Sequence, residues 1–145
     1  MVAFAQVNVI VADMSATLAF YRRLGLTVEL PMPSHASAVT ADGVRLEFDT
    51  VESEATWSAA AIAPAAGGTV LGFALDDRAA VDAAFADLVA EGARALTVPY
   101  DAFWGSRYAI VADPDGNPVA LMSPADPTFE NWPPQVPPMV RTPDE

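Results

Sequence analysis

The order of patterns between Ala3 and Thr50 returns between Gly68 and Ser123, and this repetition restricts the fold more than any other feature of the chain. In the first copy the residues from Ala3 to Ala12 alternate. Val7, Val9 and Val11 fall on one face, and Gln6, Asn8 and Ile10 on the other. A helix follows, capped by Asp13 or Ser15, striped by Met14, Leu18, Tyr21 and Leu24, and ended by Gly25. Then come "LTVEL", a loop with Pro31 and Pro33, "SAVTA", a turn at Asp42-Gly43 and "VRLEFDT". The second copy runs "GTVLGFALD", with Leu71, Phe73 and Leu75 on one face. Its helix is capped by Asp76 or Asp77, striped by Val81, Phe85 and Leu88, and ended by Gly92. "RALTVPY", "SRYAIVA", the Asp115-Gly116 turn and "NPVALMS" complete it. Aligned on their strands and turns, the copies place Gln6 on Val70, Asp13 on Asp77, Leu46 on Val119 and Glu47 on Ala120. The length differences fall in loops, where insertions are cheapest.

The pattern predicts an α+β chain of two tandem βαβββ modules. Module one spans 1–52, a linker 53–67, module two 68–124, and a proline-rich tail 125–145. In each module the apolar strand face must be covered by the helix stripe, since it has no other way to leave water. The opposite faces carry Gln6, Asn8, Arg45, Glu47 and Asp49 in the first module. In the second they carry Val70, Gly72, Ala120 and Met122. A polar sheet face can simply be solvated. Two curved mixed sheets would instead enclose a ligand cleft.

Composition narrows the chemistry. There is no cysteine and no lysine, which removes thiolate nucleophiles, sulfur-held zinc and Schiff-base chemistry. His35 is the single histidine, expected in a loop between strands. The net charge of −12 argues against nucleic acid and anionic membranes as partners and favours a cationic small molecule, although it also serves solubility. The apolar start "VAFAQVNVIVAD" lacks a basic flank and is interrupted by Gln6, Asn8 and Asp13. It reads as a strand, and a cytoplasmic protein is expected.

"VNVIVADMSATLAFYRRLGLTVEL" and "SRYAIVADPDGNPVALMSP" resemble the two signature stretches of the vicinal oxygen chelate superfamily. That superfamily includes glyoxalase I, extradiol dioxygenases, fosfomycin-resistance enzymes and bleomycin-resistance proteins. The resemblance covers residues 3 to 124 and implies paired βαβββ modules, commonly assembled as a homodimer. It also implies, in metal-dependent members, a divalent ion held by one side chain from each of four strands. Gln6 and Glu47 stand at the first two of those positions, and Val70 and Ala120 at the others. Valine and alanine offer no lone pairs, so no metal and no cofactor is expected. An extradiol site would need two histidines.

The resemblance then points to the drug-sequestering branch, in which "WG" is followed closely by an arginine, as in "FWGSRYAIVADPDGN". Phe103 and Trp104 would stand at a strand start where a planar ligand can stack. Trp104 reads equally well as a plug at the core edge, with Arg107 paired to a carboxylate. Trp57, in the linker, is a second candidate wall. The expected ligand-binding set is Gln6, Asn8, Glu47, Asp49, Trp57, Phe103, Trp104 and Met122. The function expected is metal-independent binding of a small molecule, a cationic antibiotic being one candidate. The alternatives are a lyase or isomerase using Glu47 as catalytic base or an atypical metal site, and a non-catalytic scaffold or regulatory domain. In the tail, Phe129 and Trp132 are expected to anchor the chain. "PQVP" fits a PxxP pattern that composition alone produces.

Overall fold

The computed structural model describes residues 1–131 and 137. The chain divides into two compact units, Met1–Ala66 and Gly67–Glu145. The first runs β1 (Val7–Val11), α1 (Met14–Leu24), β2 (Val28–Met32), β3 (His35–Val39), β4 (Arg45–Thr50) and α2 (Val51–Glu54). The second runs β5 (Leu71–Ala74), α3 (Arg78–Ala90), β6 (Ala95–Asp101), β7 (Arg107–Ala112), β8 (Pro118–Met122) and a 3₁₀ turn at Pro127–Phe129. Each unit is a βαβββ module with a four-stranded mixed sheet, ordered β1-β4-β3-β2 and β5-β8-β7-β6. The first strand of each is parallel to the last, and the other pairs are antiparallel.

The helices form where capping and stripe coincide. The Asp13 carboxylate accepts from the Ala16 N–H, and that of Asp77 from the Ala80 N–H, which settles the two alternative caps. α1 buries Met14, Leu18, Phe20 and Tyr21. Tyr21 packs against Phe48 of β4, ring centroids 4.9 Å apart. α3 buries Val81 and Leu88, and Ala109, Val111, Val119 and Leu121 are fully buried in its sheet. These are the helix-covered faces that alternation predicts.

The sheet registers make the duplication explicit. Val7 and Asn8 stand opposite Leu46 and Glu47, as Leu71 and Gly72 stand opposite Val119 and Ala120. Two local expectations are corrected. β2 continues through Pro31 because it is an edge strand, where a missing N–H is tolerated, and its register shifts between Glu29 and Met32. His35 is therefore not a loop residue. It opens β3, paired with Asp49 of β4. Beyond Pro124 the chain continues onto the second unit, where the Arg78 guanidinium lies 3.7 Å above the Phe129 ring. Trp132 and residues 134–136 of "PQVP" lie outside the described residues.

Candidate functional site

On the face of the first sheet opposite α1, alternation brings Asn8 of β1, His35 and Ser37 of β3, and Arg45, Glu47 and Asp49 of β4 together. Glu47 is 3% exposed and Asp49 2%, so each charge needs partners inside the protein. They have them. Glu47 Oε1 accepts from Arg45 Nη2 at 2.7 Å, Arg45 Nε at 3.2 Å and Ser37 Oγ at 3.1 Å. Asp49 Oδ1 accepts from Ser53 Oγ at 2.8 Å, and its Oδ2 from Asn8 Nδ2 at 3.1 Å. Gln6, exposed just before β1, donates to Asn8 Oδ1 at 2.9 Å, which extends the chain of bonds to solvent.

His35 joins the two carboxylates. Its Nδ1 lies 2.8 Å from Asp49 Oδ1 and its Nε2 3.1 Å from Glu47 Oε2. The Nδ1 contact is at hydrogen-bond distance. The Nε2 contact is close but poorly aligned, and Glu47 Oε2 is left without a well-directed donor. Burial pushes the Asp49 carboxyl up. Hydrogen bonds from His35, Ser53 and Asn8 together outweigh that and hold it below the ordinary carboxylate value.

This arrangement does not fit a divalent ion held at Glu47. An ion there would have to displace the Arg45 guanidinium, which already supplies a positive charge, and the His35 ring. Among the described residues no three histidine or carboxylate side chains are disposed to hold a metal.

The second sheet repeats the positions with different chemistry. Gly72 stands where Asn8 does, Ala120 where Glu47 does, and Met122 where Asp49 does. Tyr108, opposite Met122, takes the place of His35. A Cβ on Gly72 would lie 3.1 Å from the Met122 methyl, so glycine makes room for that side chain. Around Tyr108 gathers an aromatic cluster. Its ring is 5.1 Å from Trp104 and 6.1 Å from Tyr100, and Trp104 is 5.2 Å from Phe103, all edge to face. Burial and the neighbouring Tyr108 push the Tyr100 phenol up. Phe103 and Trp104 sit in the turn between β6 and β7 and line an open pocket of about 540 Å³ with Pro127, Glu130 and Asn131. Arg107 opens β7 and bonds to Asp82 at 2.8 Å and Asp101 at 3.2 Å.

The expected residues thus fall into two groups, Gln6, Asn8, Glu47 and Asp49 in the first unit, and Phe103, Trp104 and Met122 in the second. Trp57 is half-exposed in the turn after α2. Alternation along single strands missed His35, Ser37, Tyr100 and Tyr108. Counting outward from the Asp42-Gly43 and Asp115-Gly116 turns supplies the signal for His35, Ser37 and Tyr108, because it sets Ser37 and His35 opposite Glu47 and Asp49, and Tyr108 opposite Met122.

The family model described as Glyoxalase/Bleomycin resistance protein/Dioxygenase superfamily matches residues 3–121. Among curated proteins no match is found. Solved structures similar to this chain include a glyoxalase-related enzyme from Fulvimarina pelagi, with a TM-score of 0.76 and 21% identity over 85% of this chain and 88% of that one. A glyoxalase/bleomycin resistance protein/dioxygenase family enzyme from Burkholderia phytofirmans PsJN gives a TM-score of 0.72 and 24% identity over 81% and 95% of the two chains. A lactoylglutathione lyase from Agrobacterium tumefaciens gives 0.64 and 23% over 84% and 93%. At these identities the likeness is one of fold.

Proposed function

The chain belongs to the Glyoxalase/Bleomycin resistance protein/Dioxygenase superfamily, and from that premise we propose that it binds a small planar molecule without a metal ion. The observation that carries this reading is the exchange of chemistry between the copies. Where the first sheet has Asn8, Glu47 and Asp49, the second has Gly72, Ala120 and Met122 beside an aromatic cluster. A planar guest stacks on the Trp104 platform. A cationic guest, an antibiotic of that kind among them, is drawn by the net charge of −12. Glu47 and Asp49 already face Arg45 and His35, so they select a cation only by exchanging those partners.

The test is tryptophan fluorescence titrated with bleomycin-like and anthracycline-like cations, alongside elemental analysis of the purified protein. Trp104→Ala is expected to weaken binding about fivefold, the loss of one stacking contact of about 1 kcal/mol, with the fold intact. One tightly held ion per chain, lost on Glu47→Ala, would overturn the metal-free reading. Quenching that is unchanged in Trp104→Ala would overturn the platform.

One observation favours a second reading, a lyase or isomerase with Glu47 as base. Glu47 Oε2 has no well-directed donor and lies 3.1 Å from His35 Nε2, which leaves it open to accept a proton, with Asp49 contacting the ring from the other side. Such an enzyme would exchange a carbon-bound proton next to a carbonyl for solvent deuterium, and Glu47→Gln would stop the exchange.

A further inference from the structure

The first unit holds a second concentration of chemistry, away from its sheet face. α2 and the segment that follows it border an open pocket of about 370 Å³, with walls that include Val51, Ala55, Ala59, Ile62 and Pro64. One charged side chain lines it. This is Glu54, 1% exposed and outside every contact described for the sheet face. Its Oε1 accepts one long hydrogen bond, 3.3 Å from the Ile62 backbone N–H. Among the described residues the carboxylate has no other hydrogen bond and no ion pair.

A carboxylate offers about four lone-pair sites, and one withdrawn from water is stable only when they are met. At Glu47 and Asp49 this chain meets them with arginine, histidine, serine and asparagine. At Glu54 the one donor is the long Ile62 N–H bond, and the chain contains no lysine to supply another. A partner suited to this carboxylate carries N–H donors and positive charge, and its remainder suits walls of alanine, valine, isoleucine and proline. A divalent metal needs several oxygen ligands, which these walls do not provide. A primary ammonium needs one carboxylate and leaves its carbon body to the apolar walls.

We propose that this pocket binds a small primary amine as its ammonium, with Glu54 as counter-ion and the α2 segment as an apolar wall for a short alkyl or aryl body. The site is independent of the ligand proposed for the second unit. The hydrogen bond to Ile62 also gives Glu54 a part in folding the segment back on α2. Glutamine keeps that acceptor and removes the charge, so Glu54→Gln separates the two roles.

The experiment titrates the isotopically labelled full chain with n-butylammonium and, in parallel, with n-butanol, following amide chemical shifts. Butylammonium is expected to shift signals from residues 51–64 saturably, and butanol to bind at least tenfold more weakly. Glu54→Gln is expected to erase the preference for the cation. The proposal is overturned if the two probes bind alike, if no saturable shift falls in that segment, or if Glu54→Gln keeps the preference. If that variant does not fold, Ala59→Leu keeps the carboxylate and adds bulk to the pocket wall. Unchanged butylammonium binding in Ala59→Leu overturns the proposal as well.

Discussion

Gly105 is the residue on which the Trp104 turn and the start of the C-terminal segment meet, and replacing it with alanine tests how they hold each other. Its φ is +96°, a region that L side chains rarely adopt. A Cβ there would also lie inside van der Waals contact with the Asp126 carbonyl oxygen, and 3.0 and 3.1 Å from the Asp126 carbonyl carbon and nitrogen. These are backbone atoms with no rotamer to change, so the segment itself must move. It is held by Asp126 N–H to Gly105 O at 3.1 Å, Asn131 N–H to Phe103 O at 3.2 Å, and Arg78 over Phe129. Gly116 provides the control, with φ +87° and nothing within 4 Å of its Cβ position. Gly116→Ala carries only the positive-φ strain, roughly 1–2 kcal/mol. Gly105→Ala adds the loss of two hydrogen bonds at about 1 kcal/mol each and a cation–π contact of about 0.5–1 kcal/mol. Released segment entropy returns part of this, so the expected excess over the control is about 2 kcal/mol. Guanidinium denaturation of both variants measures the difference, and limited proteolysis should show new cleavage within 125–131 in Gly105→Ala alone. Equal destabilisation of the two variants would refute the reasoning, because the close approach would then carry no energy.

Asp49 predicts a pH dependence of definite sign. Its carboxyl is held below the ordinary value in the folded protein, so its contribution is complete above about pH 4, the unfolded value, and is lost as pH falls through the folded one. Urea midpoints of the native chain should fall over that acid range, and Asp49→Asn should flatten this part of the profile. Asp113 accepts from the Asp115 and Asn117 N–H groups at 3.0 and 2.9 Å and from Asn117 Nδ2 at 2.9 Å. Asp113→Ala leaves these donors unmet and should cost about 2–3 kcal/mol by denaturation. A homodimer is expected from the resemblance to the superfamily, and sedimentation at tens of micromolar, roughly the range of a weak dimer, checks it against a monomer of 15.2 kDa.

What the sequence made legible was local in origin. The caps at Asp13 and Asp77, the turns at Asp42-Gly43 and Asp115-Gly116 and the covered strand faces follow from period and turn chemistry within a few residues. Those signals suffice for two βαβββ modules. His35 was hidden because Pro31 and Pro33 beside it read as a loop, whereas an edge strand accommodates Pro31. α2 was hidden because four residues are too few to display a period. Glu54 carries no sequence signal at all, since its burial depends on how residues 55–64 return over it.

The pairing on the first sheet also gives its acidic residues partners other than a metal ion. Glu47 keeps the place that its β4 register dictates, but a carboxylate at 3% exposure takes the nearest compensating charge, and here the Arg45 guanidinium is within reach on the same face, with the His35 ring beside it. In the second copy the same register carries Ala120, fully buried, opposite Gly72. No charge there requires a partner, and Gly72 leaves room for the Met122 side chain. Duplication fixed the geometry of both faces, and desolvation then demanded opposite solutions. The charges of the first face are already answered within the protein, and the second face carries none, so the binding reading we propose rests on Trp104 and its aromatic neighbours rather than on the charged residues.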